Sequence, residues 1–178
     1  MTETITLRRW SDDDLPVLER SNTPGMTTFL GGPESADALQ RRHARFLRLW
    51  QTGEARMFAV ESSLAPEPVG SIGYWKKQWD GEDVYETGWS IATAYQGRGL
   101  AARAVAACLA DAAGQGDRRF VLAFPRTDNA ASNALCRSSG FTLRGEADFE
   151  YPKGHPIRST VWAFDLTHSA KESDEALA

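Results

Sequence analysis

Gln96-Gly97-Arg98-Gly99 lies where a stretch of strand character gives way to helical character, and that position gives its two glycines a chemical meaning. Lacking Cβ atoms, they let the backbone approach a bulky anion and turn several N–H groups towards it. A helix beginning directly behind them adds unpaired N–H groups and the positive end of its dipole. The chemistry on offer is phosphate binding, and a glycine-rich connecting turn is the alternative for the same four residues. Other phosphate loops do not fit. Gly-x-x-x-x-Gly-Lys-Ser/Thr is absent, and Gly97-Arg98-Gly99 lacks the third glycine and downstream acid of a dinucleotide fingerprint. Cys108 and Cys136 have no metal-ligand spacing, and His43, His155 and His168 form no zinc pattern. Asp12, Asp13 and Asp14 follow Ser11 and read as a solvated helix start rather than a metal site.

The elements that must position the cradle follow from periodicity. Val84 to Ala92 alternates aromatic or β-branched residues with small polar ones and predicts a strand. Leu100, Ala104, Cys108 and Ala112, widened by Val105 and Leu109, predict a helix that ends at Gly114-Gln115-Gly116. Upstream, Ile5–Trp10, Arg56–Glu61 and Val69–Trp75 read as strands, with Asp80-Gly81 as a hairpin turn into 84–92. Pro16 limits the first helix to a late start, and Ser35–Gln51 predicts a second with Leu39, Phe46, Leu47 and Trp50 on its apolar side. Arg41, Arg42, Arg45 and Arg48 occupy much of its other side and read as a solvated face. Downstream, Arg119–Phe124 predicts an interior strand parallel to 84–92 through a right-handed crossover. Ala130–Ser138 follows as a short helix, then a strand pair beginning at Gly140-Phe141 and closing with Ser159–Phe164.

Gln96-x-x-Gly99-x-Ala101, after a strand and before a helix, resembles the acyl-CoA signature of the GNAT acetyltransferase superfamily. Asn129-x-x-Ser132, followed by Leu135 and Gly140-Phe141, resembles its second signature, and the pair spans Val69 to Phe141. The resemblance implies an α/β GNAT fold, with a mixed, mostly antiparallel sheet of about six to seven strands flanked by about four helices. It implies acetyl-CoA as acyl donor, an amine acceptor, and direct N-acetyl transfer in a ternary complex without a metal. Pantetheine contacts then fall on Ile91, Ala92 and Thr93. Pyrophosphate contacts fall on the backbone of Gln96, Gly97, Arg98, Gly99, Leu100 and Ala101, with charge from Arg98 and from Arg103 one turn on. Asn129 matches the position that binds the pantetheine arm, with Ser132 a turn further; a helix N-cap is its other reading.

In related proteins a glutamate in the strand before the cradle acts as base, directly or through water, which makes Glu86 the candidate here. A salt-bridge partner or a cation-binding group is the alternative for Glu86. Ser90 is a further polar group near the reaction centre. Where many relatives carry a tyrosine that protonates the leaving thiolate, this chain has Cys136, which reads as a small buried hydrophobe; Tyr151 and Tyr85 are stand-ins for the acid. Trp75, Trp79, Tyr85 and Trp89 crowd one hairpin. Those facing away from the core, with Glu82, Asp83 and Glu86, would suit an amine with an apolar body. The first two helices and their connection flank the acceptor entrance in that family. The branch resembled includes ribosomal-protein N-terminal and small-molecule acetyltransferases. A silent acyl-CoA-binding sensor or interaction module is the alternative function, and a homodimer is expected from the family alone.

Composition bounds the rest. A chain of 178 residues, 42% hydrophobic and 25% charged, suits one globular domain, expected over 1–167, with a disordered tail over 168–178. The net charge of −4 argues against a general nucleic-acid binder. No run of apolar residues reaches membrane-span length and no secretory leader is visible, so a cytoplasmic protein with reduced thiols and no membrane partner is expected.

Overall fold

The computed structural model describes residues 2–167, so the tail expected from His168 onward lies outside the described residues. Seven strands form one sheet: β1 (Ile5–Arg9), β2 (Ala55–Ser62), β3 (Gly70–Trp79), β4 (Glu82–Ile91), β5 (Phe120–Ala123), β6 (Thr142–Glu150) and β7 (Pro156–Asp165). They join in the order β1-β2-β3-β4-β5-β7-β6. Only β4 and β5 pair in parallel; the other neighbours are antiparallel. Four α-helices flank the sheet: α1 (Leu15–Ser21), α2 (Ala36–Thr52), α3 (Leu100–Gln115) and α4 (Ala130–Ser138). The expected mixed, mostly antiparallel architecture is what the chain builds.

Period-two alternation divides the core between the faces of the sheet. On one face α3 buries Leu100, Ala104, Val105, Cys108, Leu109 and Ala112 against Phe58, Ile72, Tyr74, Tyr85 and Ile91. Each such buried Leu or Val stabilises the fold by about 1.5–3 kcal/mol relative to exposure. On the other face α1 and α2 pack Val17, Leu18, Leu39 and Phe46 with Trp10, Met57 and Ala59. Further along that face a separate cluster joins Val84 and Leu122 to Val161 and Ala163. Phe149 of β6 reaches Trp79 of β3, with ring centroids 5.5 Å apart. The last hairpin therefore curls over the sheet.

The β3–β4 hairpin turns through Asp80 (φ 49) and Gly81 (φ 79), the two positive φ values of a type I′ turn. Strands β3 and β4 run longer than their apolar cores suggested because the turn keeps Trp79 opposite Glu82 in register. The first helix is delayed as Pro16 predicts: a 3₁₀ turn over Asp12–Asp14 precedes α1, with the proline in its first turn. The aspartates are not all solvated, which corrects that expectation. Asp14 is 1% exposed and receives both terminal nitrogens of Arg8, at 2.7 and 2.9 Å, together with the Ser11 N–H. Burial alone would raise the Asp14 carboxyl, but these hydrogen bonds and the charge of Arg8 outweigh it and hold the group below its ordinary value. In α2, Arg41, Arg45 and Arg48 are exposed as expected, while Arg42 is half-buried and pairs with Glu34. Among the described residues no helix is long and apolar enough to cross a membrane.

Candidate active site

The cradle forms at the end of β4. A single 3₁₀ turn, Thr93–Tyr95, carries the chain into Gln96–Gly99, and Gly99 is the residue before α3. Gly97 and Gly99 both adopt left-handed backbone, φ 76 and 70, and a Cβ on either would meet no atom within 4 Å. Local backbone conformation demands the glycines, and the space above them is open. The first helical bond of α3 runs from the Arg103 N–H to the Gly99 carbonyl at 3.3 Å. The N–H groups of Leu100, Ala101 and Ala102 thus point out of the helix start without helical partners. Exposed amides, open space and the positive end of a 16-residue helix fit a pyrophosphate.

The side chains around the cradle are arranged differently from what spacing suggests. Gln96 Nε2 donates to the Ile91 carbonyl at 2.8 Å, so this side chain braces the loop against the strand. Arg103 Nη2 donates to the Arg98 carbonyl at 3.0 Å, and Nη1 donates to the Glu3 carbonyl. Arg103 is therefore a strap across the loop. Arg98 is the freer cation, 44% exposed, stacked over Tyr95 and 3.6 Å from the Glu3 carboxylate. Glu3, half-buried beneath the cradle, gave no signal in the sequence.

Next to the cradle the sheet opens. β4 pairs with β5 only at Tyr85↔Val121 and Glu86↔Leu122. The Ala92 N–H bonds to the Val69 carbonyl at 2.8 Å, and alternation along the antiparallel β3–β4 ladder then turns the backbone of Ser90, Gly88 and Glu86 towards β3. Thr87, Trp89 and Ile91 turn their backbone groups the other way; the Thr87 N–H falls to the Leu122 carbonyl in the Glu86↔Leu122 pair, and beyond it β5 has diverged. The Ile91 carbonyl is the one taken by Gln96. The gap is a V with its apex at Glu86 and its mouth at the cradle, and its β4 wall offers unpaired backbone to an extended chain. Ile91 and Ala92 are buried at the mouth and Thr93 is exposed beside it.

α4 starts behind β5 as α3 starts behind β4, so two helix N-termini flank the mouth. Asn129 is the residue before α4, and its Oδ1 accepts from the Ser132 N–H at 3.1 Å. It is a genuine cap, and its Nδ2 makes no bond among the described residues. Ser132 is half-buried one turn along. Sequence reasoning missed Asn133, which ties the turn together: Nδ2 donates to the Arg126 and Asn129 carbonyls at 2.9 and 2.8 Å, and Oδ1 accepts from Trp162 Nε1 at 2.9 Å.

Residues directly opposite in an antiparallel pair share a face, which sorts the hairpin. Trp79/Glu82, Lys77/Val84, Trp75/Glu86 and Ser71/Ser90 lie on the face away from α3. Asp83, Tyr85, Thr87 and Trp89 lie on the α3 face. Tyr85 donates its hydroxyl to Asp117 and is 4% exposed, and burial together with that carboxylate raises its phenol above the ordinary value. This removes Tyr85 as a stand-in acid. Tyr151 is 46% exposed in the turn between β6 and β7. Cys136 is fully buried and its thiol is pushed up to about 12 by burial, which agrees with the small-hydrophobe reading.

Between α1–α2 and the curled hairpin, the face carrying Glu86 and Ser90 is left as a cleft. Ser71, Ser90, Asn22, Thr27, Leu30 and Glu34 line a cavity of about 60 Å³ there. Its outer wall is the α1–α2 connection, clamped by Asn22 Nδ2 to the Glu34 carbonyl and by the Glu34 N–H to Asn22 Oδ1, both 2.8 Å. Glu86 is not alone in the cleft: Lys77 Nζ lies 2.6 Å from its Oε2. Among the described residues no group of His, Cys, Asp or Glu is arranged to hold a metal ion. The arrangement can bind a phosphate-bearing extended ligand through the sheet and present its far end, at the apex, to a carboxylate on the opposite face.

The model of a family described as an acetyltransferase (GNAT) domain matches residues 4–142. No curated protein matches the chain in sequence. Solved structures do. A Salmonella typhimurium acetyltransferase that modifies the N-terminal serine of a 50S ribosomal subunit protein aligns with TM-score 0.77 at 23% identity, over 91% of this chain and 95% of that one. A ribosomal-protein alanine acetyltransferase from Vibrio fischeri gives 0.74 at 17%, over 93% and 94%. Spermidine N-acetyltransferase from Vibrio cholerae, in complex with CoA and spermine, gives 0.75 at 17%, over 92% and 96%. At these identities the likeness is one of fold.

Proposed function

Because the chain belongs to the GNAT acetyltransferase family, we propose that it moves an acetyl group from acetyl-CoA to a primary amine, of a small molecule or a protein N-terminus, by direct attack in a ternary complex. The observation that carries this reading is the V between β4 and β5, with a glycine cradle at its mouth and Glu86 at its apex. The pyrophosphate lies on the amides of Gln96–Ala101, with Arg98 opposing its charge. The pantetheine arm runs down the V beside Ile91, Ala92 and Thr93, with Asn129 Nδ2 and Ser132 on the other wall. An arm entering at the mouth ends near the apex, and the outward N–H of Trp89 is the donor nearest the thioester carbonyl oxygen.

Acetyl-CoA supplies the activated carbonyl. The protein supplies position and a proton acceptor. An amine entering through the cleft between α1–α2 and the last hairpin meets Glu86, whose carboxylate takes the proton that the attacking nitrogen must lose. Ser90 and Ser71 offer hydroxyls on the same face for orienting the acceptor. Trp75 and Trp79 flank Glu86 and Glu82, so the cleft combines aromatic faces with negative charge and favours a cationic amine with an apolar body.

Isothermal titration with acetyl-CoA, alongside desulfo-CoA and NADH, tests the cradle first. Saturable binding of the acetyl-CoA type with none of NADH is the expected result. A thiol-release screen over polyamines, aryl-alkyl amines and N-terminal peptides then tests transfer. Binding without release on any amine would replace the enzyme with an acyl-CoA sensor.

A further inference from the structure

Lys77 occupies a place in the cleft that looks built for a cation. Its ammonium nitrogen is 2.6 Å from Glu86 Oε2 and lies over three rings, 4.9 Å from the centroid of Phe124, 5.7 Å from Phe149 and 5.9 Å from Trp79. The rings brace one another, with centroids 4.7 Å apart for Trp79–Phe124, 5.2 Å for Phe124–Phe149 and 5.5 Å for Trp79–Phe149. They come from β3, the residue just after β5, and β6, so the cage exists only because the last hairpin curls over the sheet. Lys77 and Glu86 are 28% and 20% exposed at their side chains, which leaves the pair screened but reachable. Its neighbour Lys76 points to the other face, where its nitrogen is 4.0 Å from Asp117.

We propose that Lys77 is an internal acetyl acceptor, and that its acetylation converts the site from a self-occupied to an open state. The inference rests on the acyl-transfer reading above. Glu86 sits at the apex of the V, where the thioester end of the donor arrives, and Lys77 is the amine already in contact with that carboxylate. The Lys77 ammonium passes one proton to Glu86. The nitrogen lone pair attacks the thioester carbonyl carbon, the C–N bond forms, and the C–S bond breaks with its electron pair on sulfur. The second nitrogen proton neutralises the departing thiolate, leaving a neutral amide and free CoA. An amide has no charge to hold against Glu86 or the ring faces. Once Glu86 has released its proton to solvent, the carboxylate and the rings are free for the ammonium of an external acceptor.

The test is incubation of the full chain with radiolabelled acetyl-CoA and no added amine, followed by peptide mapping, with acetyl-CoA binding measured on the same sample. Label concentrated on Lys77, an order of magnitude above Lys76 and Lys153, is the expected result. Glu86→Gln should lower that labelling by about a hundredfold, as loss of a general base does. Lys77→Arg should abolish it and retain the fold, the cage charge and donor binding. Equal label on Lys76 and Lys77, label unaffected by Glu86→Gln, or no label on protein that binds acetyl-CoA and acetylates an external amine would each overturn the inference and leave the acyl-transfer reading standing. Absence of acetyl-CoA binding in folded protein would instead overturn that reading, and this inference with it.

Discussion

Gln96 Nε2 and the Ile91 carbonyl, 2.8 Å apart, join the first residue of the cradle to the last residue of the strand it leaves. The bond spans the 3₁₀ turn and sets where the loop amides sit relative to the V. Removing it with Gln96→Ala costs one part-exposed hydrogen bond, about 1 kcal/mol. Since the loop is proposed to hold the donor's phosphates, that loss should appear mainly as weaker donor affinity, about three- to tenfold in Kd by titration. An unchanged Kd would make the contact incidental.

Glu86→Gln keeps the size of the side chain and removes its ability to take a proton. Turnover should fall by about a hundredfold or more while the acetyl-CoA Kd stays within about twofold. Normal turnover in this variant would remove Glu86 from the chemistry.

Asp14→Asn leaves Arg8 and the Ser11 amide facing a neutral group. The variant should lose about 2 kcal/mol at pH 7, measured by urea denaturation. The pH dependence has a definite sign. The folded carboxyl is held below its ordinary value, so its stabilisation is fully present above the unfolded value, about 3.9. It is lost as pH falls through the folded value. The gap between wild type and variant should therefore narrow below about pH 4; a gap that widens in acid would contradict the ion-pair account.

Cys108 and Cys136 are both buried, with thiols pushed up to about 12. Native protein should react slowly with a disulfide reagent at pH 8 and release both thiols on unfolding. Cys136→Ala should cost about 1–2 kcal/mol in stability through the small cavity left behind, with turnover unchanged. Loss of turnover in the folded variant would give Cys136 a chemical role after all.

Much of this site was legible because its signals are local. The strand, the two glycines and the apolar stripe of α3 are contiguous, and each residue type has a conformational reason at its place. What escaped was set by pairing between distant segments. Lys77 meets Glu86 only because a two-residue turn fixes the β3–β4 register, and the rings over Lys77 come together only through the curl of β6. Asp14 reads as solvated from its neighbours, yet an arginine six residues upstream draws it into the interior. Tyr85 and Glu86 are adjacent in sequence and face opposite sides of the sheet, so composition alone placed both near the acceptor. The Arg103 side chain reads by charge and spacing as reaching the phosphate end, whereas the Glu3 and Arg98 carbonyls claim it; the Gln96 side chain, bonded to the Ile91 carbonyl, carried no expectation.

The two-residue seam between β4 and β5 also bears on how the molecule holds together. β1–β4 form one plate and β5–β7–β6 another, and main-chain bonding across the sheet joins them only around Tyr85 and Glu86. On the proposed reading, a donor lying in the V would be hydrogen-bonded like an extra strand and would act as a splint between the plates. Stability of the whole protein should then be coupled to donor concentration, rising as the logarithm of acetyl-CoA above its Kd. Without the splint, amide hydrogens flanking the V should exchange by the plates parting rather than by global unfolding. The opening proposed to admit the donor is thus also the most thinly bonded line in the sheet, and filling it should strengthen the fold.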